Sequence, residues 1–260
     1  MKLDKKIGNV IIDGLINNMV YVEGGKFLMG SNSYADYDVR PWHNVSLSSF
    51  YIGKFQVIQK EWLEIMGNNP SEFINPYNPV ENVSWFDCEQ FFSKLNSRTG
   101  MNFYFPTEAQ WEFAANGGNK PITSRDYPFP GSDSLSEVGW YYYNSGETIK
   151  VLVTEETFFK KATYREKIIN NRPHQVGQLK SNQLGIYDMA GNVQEWCSDW
   201  YEEYSSGDTY NPKGGLNGVC KVLRGGSFSF GRSICASTYR GQFKPHVSDD
   251  TVGLRIALNI

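Results

Sequence analysis

The chain has 260 residues, of which 40% are hydrophobic and 15% aromatic, so it can bury a sizeable core and is not intrinsically disordered. Lysine and arginine number 25 against 28 aspartates and glutamates, and neither sign forms a long block, which argues against a nucleic-acid-binding protein. No segment approaches the roughly 18 consecutive apolar residues of a membrane-spanning helix, and no secretory signal is visible. We therefore expect a cytoplasmic protein, or a cell-surface protein if an export signal has been removed.

The first predicted elements are short strands. Two apolar runs, 19–23 and 26–29, flank Gly24 and Gly25, which predicts a β-hairpin with a tight glycine turn. Apolar residues then mostly alternate over 43–57, which is typical of further strand.

Three helices are predicted next. The first covers 59–66, where apolar residues recur at helical spacing. The second begins at Ser84, whose side chain can cap a helix with the acid three residues later, and it ends at Gly100. The third begins after Thr107, in a second capping box, and ends at Gly117.

Beyond the third helix, regular patterning largely disappears. Segment 147–172 is more charged than its surroundings and is helix-compatible over 162–169, so it is interpreted as a surface insertion. No linker or internal repeat marks a second domain. We interpret residues 1–18 as an N-terminal leader and 19–260 as one domain.

The cysteines are too sparse for a disulfide scaffold and show no Cys-x-x-Cys spacing. Cys88, Cys197, Cys220 and Cys235 are therefore expected to be mostly buried thiols, although one pair could be bridged. The histidines His43, His174 and His246 lack the spacing of a zinc site.

The most specific segment is 185–200. Asp188 and Glu195 bracket a Gly-Asn turn within eight residues. Hard cations such as Ca²⁺ take six to eight oxygens from carboxylates and backbone carbonyls, so this density of oxygen suits calcium. The alternative is a capped turn with solvated acids.

A second segment, 222–228, has the pattern of a strand that enters a glycine turn. Glycine lets a backbone approach a ligand closely, although the same pattern is also typical of a simple tight turn.

Together these segments resemble the formylglycine-generating enzyme, or sulfatase-modifying factor, family. The matching stretches, in order, are MVYVEGG (19–25), MGS (29–31), FYIGK (50–54), PVENVSW (79–85), FPTEAQWEF (105–113), GIYDMAGNVQEW (185–196), RGGSF (224–228) and GLR (253–255). The resemblance implies one α+β domain of C-type-lectin-like topology, with little regular secondary structure and bound calcium. Carried over by position, the calcium ligands would be Asp188, the carbonyls of Gly191 and Val193, and Glu195.

The resemblance also bears on activity. Enzymes of this family use two cysteines, five residues apart after the Gly-Gly-Ser turn, to hold copper(I). Here the second position is Cys235 but the first is Phe230, whose ring cannot ligate a metal. The tryptophan that precedes the glutamate of the calcium motif is replaced by Gln194, whereas Ser227 is kept. We therefore expect no copper, and Cys235 is the catalytic candidate only if the chain is an enzyme.

Some variable proteins diversified by retroelements use the same scaffold and bind ligands through the stretch after Arg-Gly-Gly-Ser. This stretch here shows a similar mixture of small, aromatic and polar residues. The candidate ligand-binding residues are Gln194, Ser227, Ser229, Phe230, Gly231, Ser233, Ile234, Tyr239, Phe243 and His246.

Our leading hypothesis is thus a calcium-stabilised, lectin-fold protein that binds a protein or small-molecule ligand as a monomer, without nucleic acid and without a transmembrane segment. The alternative is a formylglycine-generating oxidoreductase or a related oxygen-dependent enzyme. A third possibility is a purely structural or assembly subunit.

Overall fold

The computed structural model describes residues 3, 6–31, 38–119, 128–153 and 163–260. In these ranges the regular elements are short and separated by long turns. The helices are α1 (Val10–Asn17), α2 (Gln59–Met66), α3 (Trp85–Thr99), α4 (Glu108–Ala115) and α5 (Leu135–Val138), with a 3-10 helix at Arg232–Cys235. The strands are β1 (Met19–Val22), β2 (Gly25–Met29), β3 (His43–Leu47), β4 (Phe50–Gly53), β5 (Phe103–Tyr104), β6 (Gly139–Trp140), β7 (Glu147–Val153), β8 (Thr163–Ile169), β9 (Ala190–Gly191), β10 (Gln194–Trp200), β11 (Thr209–Tyr210), β12 (Lys221–Arg224), β13 (Gly241–Phe243), β14 (Val252–Gly253) and β15 (Ala257–Asn259). This mixture of helix and strand confirms the α+β prediction.

Two sheets organise the domain. The first has the order β1-β4-β15-β5, with β15 antiparallel to both β4 and β5, so it joins the two ends of the chain. The second has the order β13-β12-β10-β14, with β10 antiparallel to β12 and parallel to β14. This second sheet gathers the Gly-Asn turn, the Gly-Gly-Ser turn and the C-terminal stretch in one region.

The sequence pattern missed α1. Asn9 caps this helix by accepting from the N–H groups of Ile11 and Ile12, and the side chains of Leu15 and Ile16 are buried in the main apolar cluster. The helix is only eight residues long and is interrupted by polar residues, so its periodicity is weak. Its apolar face nevertheless belongs to the core of the domain.

The three predicted helices are confirmed as α2, α3 and α4. Ser84 and Thr107 form the expected capping boxes, in which each side chain accepts from the third N–H of its helix. The second helix ends at Gly100, whose φ of 61° lies in the left-handed region that glycine adopts readily. These boundaries depend on local chemistry, which the sequence shows directly.

The predicted hairpin around Gly24 is wrong. Both strands exist, but β1 pairs with β4 and β2 pairs with β3, so the two glycines carry the chain from one sheet to another. A Cβ on Gly24 would lie 2.4 Å from the Leu47 carbonyl oxygen. The glycine is therefore needed for close packing against another strand.

The helix predicted over 162–169 is also wrong. Residues 163–169 form β8, which pairs antiparallel with β7, and residue 162 lies outside the described ranges. Thr163, Ile168 and Ile169 are β-branched and prefer strand. The cross-strand pairing with β7 therefore overrides the weak helical pattern.

All four cysteines are free thiols, and three of them are buried, as predicted. Among the helices in the described ranges, none combines the length and the apolar character needed to cross a membrane.

Candidate functional site

The turn between β9 and β10 is fixed by contacts with two other segments. Asp188, Gly191 and Asn192 have φ angles of 57°, 75° and 62°, in the left-handed region. The Asn192 amide is fully buried; its Oδ1 accepts from the His174 N–H at 2.9 Å and its Nδ2 donates to the His174 carbonyl at 3.1 Å. The Phe228 N–H donates to the Asn192 carbonyl. The turn is therefore part of the core rather than a mobile loop.

The Glu195 carboxylate lies fully buried beside this turn. Arg255 donates to both of its oxygens, from Nε to Oε2 at 2.9 Å and from Nη2 to Oε1 at 2.7 Å. The Trp111 indole N–H donates to Oε2 at 2.6 Å. The remaining Arg255 donors bind the carbonyls of Gly53 and Tyr187. The charge of Glu195 is thus balanced by a buried cation of the same chain.

Gln56, which the sequence analysis did not single out, completes the site. Its Nε2 lies 2.8 Å from the Val193 carbonyl oxygen, 3.0 Å from Glu195 Oε1 and 3.3 Å from the Asp188 carbonyl oxygen. No motif marks this residue, which follows β4 in an otherwise apolar stretch. Only the tertiary fold places its amide against the turn.

The Asp188 side chain is also buried. Its Oδ2 accepts from the Gly177 N–H at 2.7 Å, whereas Oδ1 has no hydrogen-bond partner among the described residues. Burial raises the pKa of Asp188 to about 6. Of the four predicted calcium ligands, Val193 and Glu195 lie against Gln56 Nε2 through their predicted ligand oxygens, whereas Asp188 does so through its backbone carbonyl and not its carboxylate. The fourth, Gly191, lies in β9, where its N–H donates to the Gly225 carbonyl at 2.7 Å.

Hydrogen bonds within the chain already engage several oxygens of this turn. Calcium needs six to eight oxygens at about 2.3–2.6 Å, but here the oxygens of Val193 and Glu195 face an amide N–H group at hydrogen-bond distances. Both oxygens of Glu195 already accept hydrogen bonds. No group of three or more histidine, cysteine, aspartate or glutamate residues suited to a metal occurs within the ranges that the structure describes.

Cys235 lies in an apolar environment. Its S–H donates to the Ser227 carbonyl at 3.9 Å, and burial raises the pKa of the thiol to about 12. The other fully buried thiols, Cys88 and Cys197, belong to separate apolar clusters. Copper(I) binding requires thiolates, so Cys235 is an unfavourable ligand as it stands. The residues that surround it in its cluster are Phe129, Leu135, Val138 and Ala190.

Residues 229–250 form what we call the C-terminal surface. The predicted ligand-binding residues in this range are exposed or half-buried. They alternate with buried residues, three of which we call framework residues: Cys235, Arg240 and Pro245. The side chains of Ser229, Ser233 and His246 are exposed, whereas Phe230, Gly231, Ile234, Tyr239 and Phe243 are half-buried.

Gln194 and Ser227 lie beneath this surface. Both side chains are buried, with exposed fractions of 5% and 0%. Ser227 Oγ accepts from the Ser229 N–H, and the Ser227 carbonyl accepts from the Phe230 N–H. Both residues therefore lie below the C-terminal surface and support it.

A cavity near His174 was missed by the sequence analysis. It has a volume of about 460 Å³ and lies between residues 73–78 and 172–178. The His174 ring stacks on Trp140 at 3.8 Å, and its Nε2 lies 3.0 Å from the Ser145 carbonyl. Ser145 Oγ in turn donates to the carbonyl of Phe228, the residue that precedes the C-terminal surface.

Comparison with known proteins identifies the family. Residues 13–260 match the Sulfatase-modifying factor enzyme 1-like domain. The chain belongs to this family. The match confirms the family resemblance deduced from the sequence motifs.

Several relatives of this sulfatase-modifying-factor-like domain are similar over much of its length. It is 32% identical to the "Chaperone protein LppX" of Paenibacillus barcinonensis, over 92% of this chain and 89% of that protein. It is 30% identical to the mouse formylglycine-generating enzyme over 75% of this chain, but the match spans only half of that enzyme. Among solved structures, Treponema denticola variable protein 1 matches with a TM-score of 0.77 and 27% identity, covering 93% of this chain and 95% of that one. These likenesses confirm the predicted fold.

Proposed function

We propose that this domain is a monomeric ligand-binding protein without formylglycine-generating activity, and that its ligand contacts the C-terminal surface. One observation carries the proposal. The position that would supply the first copper-binding thiol is Phe230, and the remaining thiol, Cys235, is buried with its pKa raised to about 12. The scaffold is kept while the residues for oxygen activation are absent or inaccessible.

The chemistry of the C-terminal surface supports a binding role. Tyr239, Phe243 and Phe230 supply large contact area at low entropic cost, and the serines between them offer adaptable hydrogen bonds. Framework residues such as Arg240, which donates to both oxygens of Glu108, hold the backbone beneath them. Rigid support with variable exposed side chains is a typical arrangement for recognition.

A protein is the class of ligand that we propose. One solved relative is named a variable protein, and one curated relative is named a chaperone. A partner that is itself a polypeptide fits an open surface better than a deep pocket. The cavity near His174 is lined in part by Phe73, whose ring packs against Phe228 just before the C-terminal surface, and it offers a place for a protruding side chain of such a partner.

Alanine variants test this proposal. We expect Phe230→Ala, Tyr239→Ala and His246→Ala each to weaken the tightest interaction found in a panel of peptides and glycans, with at least one losing about tenfold or more in affinity. Isothermal titration calorimetry measures the change.

A variant away from the surface provides the control. Leu216 is fully exposed on the loop before β12, so Leu216→Ala should leave affinity unchanged. A tight ligand whose affinity is unaffected by all three surface variants would contradict the proposed location.

A further inference from the structure

We propose that Gln56 takes the place of a divalent cation at the turn between Asp188 and Glu195, so that this chain holds the turn together without calcium. The inference goes beyond the proposed function, because it concerns how the scaffold is stabilised and is independent of any ligand.

The Gln56 amide lies at hydrogen-bond distance from three oxygens of the turn. Gln56 Nε2 lies 2.8 Å from the Val193 carbonyl oxygen and 3.0 Å from Glu195 Oε1, with the Asp188 carbonyl oxygen at 3.3 Å. These distances are those of N–H···O hydrogen bonds and exceed the 2.3–2.6 Å of calcium–oxygen bonds. A nitrogen with two hydrogens serves two close acceptors and one more distant one, as observed. A calcium ion bound to the same oxygens would need the space that Nε2 fills.

A buried ion pair lies at this turn. Glu195 is paired through two hydrogen bonds with Arg255, and both residues have an exposed fraction of 0%. Adding a divalent cation would place two further positive charges beside a buried guanidinium, with Asp188 as the remaining carboxylate. A neutral amide donates to the Val193 and Glu195 oxygens without this cost, because it brings two N–H donors and no net charge.

Gln56 Nε2 faces the oxygens of Val193 and Glu195, while Gln56 Oε1 is buried without a partner among the described residues.

The test is thermal unfolding of the full chain with a chelator and with millimolar calcium. For the wild type we expect a melting temperature that is the same in both conditions. For Gln56→Glu we expect a melting temperature about 5 °C or more below the wild type in chelator, and recovery of most of this loss with calcium. The introduced carboxylate repels Glu195 and removes the N–H donors, and a cation relieves both effects.

A second variant at Gln56 and a matched control at an exposed glutamine distinguish a specific calcium response from a general one. Gln56→Ala opens the same space without adding charge, so it reports on calcium if Gln56→Glu does not fold. Gln175→Glu makes the identical chemical change at an exposed residue and should show no calcium response.

A stable wild type that ignores calcium, together with a calcium response in either Gln56 variant, supports the inference. A wild-type melting temperature that rises by several degrees with calcium or falls with chelator overturns it. Insensitivity of the wild type and of both Gln56 variants also overturns it, because Gln56 would then not occupy a cation position. None of these outcomes depends on ligand binding.

Discussion

Arg255→Ala is expected to lower the free energy of unfolding by about 3–5 kcal/mol. The guanidinium is fully buried and donates to both oxygens of Glu195, so its removal leaves an uncompensated buried carboxylate. The carbonyls of Gly53 and Tyr187 lose their donor at the same time. Urea unfolding followed by circular dichroism measures the change.

An exposed ion pair provides the matched control. Arg98 Nη1 lies 3.3 Å from Glu64 Oε1, with side-chain exposures of 43% and 29%. Arg98→Ala should cost only about 0–1 kcal/mol, because solvent screens the pair. If Arg255→Ala cost no more than Arg98→Ala, the buried pair could not be a principal support of the Gly-Asn turn.

Gly191→Ala is expected to be the more disruptive of two glycine substitutions with nearly equal φ angles. Gly191 has a φ of 75°, and a Cβ there would lie 2.0 Å from the Trp140 carbonyl oxygen, across the pairing of β6 with β9. We expect a loss of about 3 kcal/mol or more, because backbone strain and a backbone clash act together.

Gly185→Ala separates these two causes. Gly185 has a φ of 77°, but a Cβ there meets nothing within 4 Å. It should cost only about 1–2 kcal/mol from the left-handed conformation. Equal losses of unfolding free energy for Gly191→Ala and Gly185→Ala would show that the close approach of β6 and β9 is unimportant.

The helices were predictable from the sequence because their information is local. Ser84 and Thr107 lie at the first turns they cap, and Gly100 ends α3 in the conformation that glycine favours. The partners of the strands were not predictable in this way. The runs on either side of Gly24 were recognised as strands, but which sheet each joins depends on residues far along the chain, such as those of β4 and β15.

The candidate site was only partly predictable, because the sequence shows the spacing within a motif but not the contacts between distant residues. The spacing of Asp188 and Glu195 indicated two carboxylates beside a turn, and the structure places both there. It also places Gln56 and Arg255 against them, from opposite ends of the sequence. Spacing within one motif cannot reveal which distant side chains reach its oxygens, so the sequence does not indicate the contacts of Gln56 and Arg255.

At the C-terminal surface, some of the predicted ligand-binding residues are exposed and others are buried. Ser233 and His246, two of the predicted ligand-binding residues, are exposed in the structure, whereas Cys235 and Arg240 between them are buried. Gln194 and Ser227 were selected through their positions in the family motif, yet both are buried. Their burial follows from the packing of β10 and the Gly-Gly-Ser turn beneath the surface, which is a tertiary effect.

The most direct test of the central claim is incubation of the copper(I)-treated protein with oxygen and a cysteine-containing peptide, followed by mass spectrometry of the peptide. The account predicts a peptide of unchanged mass, because Phe230 cannot bind copper and Cys235 is buried. A loss of about 18 mass units, the change from thiol to aldehyde, that disappears in the Cys235→Ala variant would contradict it.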